Sequence, residues 1–167
     1  MRTQNTEGNC QEFIHFMGHD NAAMFGTIIN EIYKIYGTDG LKAIERAMEQ
    51  KGRLDALTLK DSGITINSFK DFGKYYGMSL RGQVNSIISP TKMEIISPDE
   101  VVLVHTSCTK YHAWKDIGLS AEMVRETCRL YFKATESLFF ELFPDAKMVK
   151  ETLIPNGDDV CRIRFKR

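Results

Sequence analysis

The stretch VVLVHTSCTKYHAWKDIGLSAEMVRETC, residues 101–128, contains the change of pattern that decides the fold. It opens with four apolar residues that, with the alternating residues from Met93 onward, predict two strands joined by a turn at 97–100. It closes with residues at helical spacing, and Ser120 stands where an N-cap belongs, ahead of a long helix that ends at Pro144. Residues 109–118 form a loop or short helix. The stretch therefore joins a sheet to a helix.

The residues before this sheet have the periodicity of helices. A short amphipathic helix is predicted over 11–20. The spacing then predicts an antiparallel helical pair, with one helix from Asn21 that stops at Gly37 and another over 38–50 with Gly52 beyond its end. A third helix follows a cap at Asn67 or Ser68 and carries an apolar stripe made of Phe69, Phe72, Tyr75 and Tyr76.

The C-terminal residues predict a β-hairpin. Residues 147–154 alternate, Pro155-Asn156-Gly157 is a turn signal, and residues 160–166 form the return strand. Cys161 falls on the apolar face of that strand and should point into the core or a pocket. The sum is an α+β fold in one domain, residues 1–167, with helices packed on a mainly antiparallel sheet of about four strands and a frayed tail at 1–10.

The amino-acid composition restricts the classes of molecule that we expect the protein to bind. The chain has 22 basic and 22 acidic residues, so its formal net charge is zero. This balance argues against nucleic acid and an anionic membrane surface and favours a small-molecule partner. Four scattered cysteines without a CxxC pair indicate reduced thiols, and the first ten residues lack the apolar core of a signal peptide, so we expect a cytoplasmic protein. The size of the domain is compatible with a homodimer.

Three residues in the central stretch suggest chemistry. His105, Cys108 and His112 lie at spacings of three and four, and a thiolate beside an imidazolium is a good nucleophile near neutral pH. The same groups suit a divalent metal such as zinc, with Cys161 or Cys128 completing the ligands, although the sequence requires no cofactor. Buried cysteines that pack as small apolar residues are the alternative.

A second histidine pair, His15 and His19, would share one helix face. No HExxH pattern or third ligand accompanies it, so two polar surface residues are the favoured interpretation. Trp114 is either a pocket wall or a core anchor. Asp159 follows the hairpin glycine, where aspartate bonds to the turn backbone, and a general-base role is secondary.

The C-terminal half resembles the L-2-amino-thiazoline-4-carboxylic acid hydrolase family. The features that carry the resemblance are the apolar strand before Cys108, the segment AWKDIGL at 113–119, the helix with Cys128, and the closing GDDVCRIRF at 157–165. The helix end at Tyr36-Gly37 and the later Gly52 are also similar to that family. The resemblance implies an α+β hydrolase that opens a small cyclic isothiourea such as L-2-amino-thiazoline-4-carboxylate to N-carbamoyl-L-cysteine.

The resemblance also implies roles for residues. Cys108 would be the reacting or ligating thiol, with His105 or His112 as its proton partner and Cys161 facing the same cavity. An arginine would hold the substrate carboxylate, and the candidates are Arg125, Arg162 and Arg164. We expect the substrate to contact Trp114, Cys128, Asp159 and Arg162.

The closing hairpin is similar to a second group, the vinyl-reductase-type small-molecule-binding domains. Those domains often have another cysteine before the turn, where this chain has Thr152 and Ile154. This likeness implies a non-catalytic domain that senses a small molecule or a metal. Thiol release from the thiazoline would favour the hydrolase, and stoichiometric binding without product would favour the sensor.

Overall fold

The structure is a computed structural model and describes residues 6–78 and 87–167. Its elements confirm the predicted α+β fold. In chain order they are α1 (Thr6–Asp61), α2 (Phe69–Met78), β1 (Thr91–Ser97), β2 (Glu100–His105), α3 (Thr109–Asp116), α4 (Ala121–Leu142), β3 (Lys147–Thr152), a 3-10 turn (Ile154–Asn156) and β4 (Cys161–Lys166).

The four strands form one antiparallel sheet in the order β1-β2-β4-β3. Both predicted hairpins are confirmed, since β1 pairs with β2 and β3 pairs with β4. The predicted orientation of β4 is also confirmed: Cys161, Ile163 and Phe165 are buried, and the two arginines between them point to the other side. We call the side that carries Ile163 the inner side of the sheet.

An aromatic core lies between the inner side and the helices. The rings of Phe139 in α4 and Phe165 in β4 are stacked with their centroids 3.9 Å apart. Phe69 and Phe72 of α2 approach Phe139 edge-on, and Ala56 of α1 packs in the same cluster. Burial of these large side chains is the main source of stability at this end of the domain.

The predicted caps are confirmed. Ser120 Oγ accepts a hydrogen bond from the Met123 N–H at the start of α4, and Phe143, just before Pro144, caps its end. Ser68 Oγ accepts from the Asp71 N–H at 3.1 Å and caps α2. None of the helices within residues 6–78 and 87–167 is both long enough and apolar enough to cross a lipid bilayer.

Two glycines in α1 have different roles. Gly37 interrupts α1 with a positive φ of 59°, which confirms the predicted break. The helix end predicted before Gly52 is wrong, because α1 continues to Asp61. Gly52 lies where α1 crosses α4, and a Cβ atom there would stand 2.2 Å from the Ala134 carbonyl oxygen.

At its N-terminal end, α1 begins at Thr6 and runs through residue 20 without the predicted separate short helix.

Candidate functional site

A cavity of about 1100 Å³ lies between the inner side of the sheet and the helices α1, α3 and α4. Much of its wall is apolar. The apolar side chains come from α1, from strands β1, β2 and β4, and from α4: Leu59, Met93, Leu103, Phe132, Leu138, Phe139 and Ile163. Exposed residues such as Tyr33, Glu122 and Arg125 also border it, so the cavity reaches the surface. Cavities of this kind are where proteins bind small molecules.

Five of the predicted site residues lie on the wall of this cavity: His105, Cys108, Trp114, Cys128 and Cys161. They come from β2, the N-cap of α3, α3 itself, α4 and β4. The sheet register brings two of them together, because His105 pairs with Cys161 across β2 and β4.

The other three predicted residues lie outside the cavity wall. His112 is exposed on α3, with its ring edge against Tyr111. Asp159 is exposed in the final hairpin. Arg162 is on the outer side of the sheet, where it pairs with Glu94 and Glu151. The structure therefore groups the thiols with His105 and separates them from these three residues.

The other two candidate arginines are also placed away from the cavity interior. Arg164 pairs with Glu151 and Glu100 on the outer side of the sheet. Arg125 is exposed at the cavity border. A carboxylate deep in the cavity would need a different cation.

The ring of His105 has a defined tautomer. The Thr91 hydroxyl donates its proton to the Ser89 carbonyl oxygen at 2.6 Å. Thr91 Oγ1 is therefore the acceptor for His105 Nδ1–H, at 2.8 Å. Burial, assisted by the nearby Lys110 charge, lowers the pKa of His105 to about 4. The ring is therefore neutral at pH 7, with an unprotonated Nε2 that can accept a hydrogen bond. A neutral ring does not stabilise a thiolate by charge.

The three cavity thiols differ in their surroundings. Burial raises the pKa of Cys128 to about 12 and also raises the pKa of Cys161, whose Sγ accepts the Ile154 N–H at 3.2 Å. Both are thiols at neutral pH. Cys108 Sγ lies 3.8 Å from the buried Ser89 Oγ. Among the described residues no hydrogen bond joins Cys108 to either histidine.

Sequence reasoning missed Lys110. This lysine lines the cavity from the first turn of α3, with Nζ 3.4 Å from Ser89 Oγ and 5.1 Å from the ring centroid of Tyr131. Burial lowers the pKa of Lys110, and the Cys108 and Cys128 thiols act in the opposite direction. A signal was present: Lys110 precedes the buried Trp114 by four residues, so the two share one face of α3.

Three contacts fix α3 against α1. Trp114 Nε1–H donates to the Ala22 carbonyl oxygen at 2.8 Å, and the tryptophan is buried as both pocket wall and core anchor. His19 Nε2 lies 2.9 Å from Asp116 Oδ2, and His15 Nδ1 lies 3.4 Å from Thr109 Oγ1.

Within the described ranges no three His, Cys, Asp or Glu side chains are arranged to hold a metal ion.

Comparison with known proteins gives a fold and no family. No protein-family model matches the chain, and no curated protein matches it. Among solved structures, the chain is similar to subunit 3 of a trafficking protein particle complex from Naegleria fowleri, crystallised covalently bound to palmitic acid. The TM-score is 0.60 and the identity 12%, over 90% of this chain and 95% of that one. At this identity the likeness establishes the shared fold alone.

Proposed function

We propose that this protein is a binding domain for a small molecule with a long apolar chain, which it encloses between the sheet and the helices. The observation that carries the proposal is the cavity of about 1100 Å³ with its largely apolar wall. Ligand pockets typically have volumes of roughly 300–1,000 Å³, so this space is large enough for an extended ligand.

The apolar wall explains why such a ligand would bind. Leu103 and Ile163 from the sheet face Leu138 from α4 across one hydrophobic cluster. An apolar chain placed among these side chains removes its own surface and theirs from water, at about 25 cal/mol for each Å². It also fills space that would otherwise lower the stability of the fold.

The neighbour with the same fold suggests the first ligand to test. The trafficking complex subunit is covalently bound to palmitic acid in its crystal. Palmitic acid is therefore the first probe, and the cavity of this chain is the reason to expect that it binds.

The experiment uses Trp114, the only tryptophan of the chain, which lines the cavity. A polyene fatty acid whose absorbance overlaps tryptophan emission should quench Trp114 with a saturable curve, and palmitate should reverse the quenching. Palmitate should also raise the melting temperature, since a ligand at a hundred times its Kd stabilises the folded state by about 2.7 kcal/mol.

A pair of variants tests where the ligand lies. Cys128→Phe puts a large ring into the cavity wall and should abolish quenching, whereas Val149→Phe adds the same ring on the exposed outer side of the sheet and should not. Both variants must melt cooperatively. Quenching that survives in Cys128→Phe, or a complete lack of quenching in the unmodified protein, would refute binding in this cavity.

The hydrolase predicted from the sequence is a second proposal. One observation favours it: Cys108 and Lys110 both contact Ser89 at the cavity wall, so a thiol, an amine and a hydroxyl lie together. We expect thiol release from 2-amino-thiazoline-4-carboxylate above a protein-only control, followed with a thiol-reactive dye, with and without zinc. Cys108→Ala should abolish release without changing the melting temperature, and full release by that variant would remove the assigned role of Cys108.

A further inference from the structure

The cavity wall contains a cation, Lys110, that pairs with no carboxylate among the described residues. Lys110 Nζ lies 3.4 Å from the hydroxyl of Ser89, a residue that is only 5% exposed. The ring of Tyr131 is on its other side, 5.1 Å away. The ionisable groups that act on Lys110 are the thiols of Cys108 and Cys128, and no carboxylate pairs with it in the part of the chain that the structure describes.

Two other cations on the cavity wall, Arg129 and Lys150, lie near acidic residues. Arg129 Nη1 is 2.7 Å from Glu45 Oε1, and Arg129 Nη2 is 2.7 Å from Glu126 Oε1. Lys150, on β3, acts electrostatically on the same Glu45. Lys110 differs from both, because two of the groups near it are neutral at pH 7: the Cys128 thiol has a pKa of about 12 and the His105 ring one of about 4.

A buried ammonium without an anion is costly, and a ligand can remove that cost by supplying the missing charge. An ammonium offers three donors and a serine hydroxyl one more, and together they suit the two oxygens of a carboxylate.

We propose that Lys110 and Ser89 form the receptor for a carboxylate on the bound ligand, so that the cavity selects an apolar molecule ending in a carboxylate over the corresponding alcohol. This inference rests on the proposed binding function and narrows its ligand class. A long-chain fatty acid and a small heterocyclic carboxylate share this chemistry, and the experiment separates them.

The test is a displacement titration on the full chain at neutral pH, read through Trp114. Three competitors are compared: palmitate, 1-hexadecanol and 2-amino-thiazoline-4-carboxylate. The unmodified protein should bind palmitate about tenfold or more tightly than 1-hexadecanol, the size expected of charge-assisted hydrogen bonds. Lys110→Met should lose this preference by weakening palmitate and leaving 1-hexadecanol unchanged, and Ser89→Ala should weaken palmitate less.

Lys150→Met is the matched control, since Lys150 is another lysine on the cavity wall and Glu45 lies near it. It should keep the preference for palmitate. Lys110→Gln gives a second route if Lys110→Met does not melt cooperatively.

The outcomes distinguish ligand binding in the cavity from recognition of a carboxylate by Lys110 and Ser89. Equal affinity for palmitate and 1-hexadecanol, or a preference lost in Lys150→Met instead of Lys110→Met, would overturn the carboxylate receptor and leave cavity binding in place. Displacement by none of the competitors would overturn both. Lys110-dependent displacement by the thiazoline alone would support the receptor and assign it to the small heterocycle.

Discussion

The two sides of the β-sheet differ in whether their basic side chains have acidic partners among the described residues. On the outer side, Arg162 and Arg164 share Glu151, and each has a further glutamate beside it. On the inner side, Lys110 borders the cavity and lies against a serine, a tyrosine ring and thiols. The arginines and glutamates on the outer side form ion pairs with one another, so we interpret them as structural. The inner charge lacks such a partner among the described residues, and this is why we place the ligand there.

The first and largest prediction concerns packing on the two sides. Phe165→Ala removes a fully buried ring that stacks on Phe139, and it should lower the free energy of unfolding by about 3–5 kcal/mol. Val149→Ala, on the exposed outer side, should change it by less than about 0.5 kcal/mol. Urea denaturation measures both. Similar losses in the two variants would mean that the inner side is not the hydrophobic core.

The second prediction compares a buried histidine on the inner side of the sheet, His105, with an exposed histidine on α3, His112. Burial holds the pKa of His105 at about 4, against an ordinary value of 6.5. In the unfolded chain the His105 ring therefore binds a proton below about pH 6.5, whereas in the folded chain it does so only below about pH 4. Stability contributed above pH 6.5 should be lost as the pH falls through this window, by about 3 kcal/mol.

Unfolding free energies measured along a pH series provide the check. His105→Gln should reduce the acid loss by that amount, whereas His112→Gln, at an exposed position, should leave it unchanged. An unchanged pH profile in His105→Gln would show that the ring does not titrate as its burial requires.

The third and smallest prediction replaces a basic residue by methionine on each side of the sheet. Arg162→Met breaks pairs with Glu94 and Glu151 and should lower stability by up to about 1 kcal/mol. Lys110→Met removes a charge that burial destabilises and that has no acidic partner in residues 6–78 and 87–167, so it should raise stability at neutral pH without ligand. Urea denaturation of both variants gives the two signs. A loss in Lys110→Met would indicate that the fold itself neutralises this lysine.

Much of the fold follows from local pattern. The change from helical to alternating spacing predicts the order of helices and strands, and Ser68 and Ser120 cap the helices that follow them. Glycine is where this reasoning fails. Gly37 breaks α1 as predicted, but Gly52 lacks a side chain because α4 passes within contact distance, and that contact joins residues far apart in sequence.

The candidate site divides in the same way. Alternation along β4 places Cys161 on the inner side, and this is a local property. The pairing of Cys161 with His105 depends on the register between β2 and β4, which no local pattern gives. Lys110 looks like a surface lysine until the buried Trp114 one turn later assigns its helix face.

A crystal structure of the protein grown with excess palmitate is the most direct test of the proposed binding of a carboxylate by Lys110 and Ser89. We expect the acyl chain between the sheet and α4, beside Leu103 and Leu138, with its carboxylate within hydrogen-bond distance of Lys110 Nζ and Ser89 Oγ. A cavity that stays empty at saturating palmitate, or a chain bound on the outer side of the sheet, would contradict it.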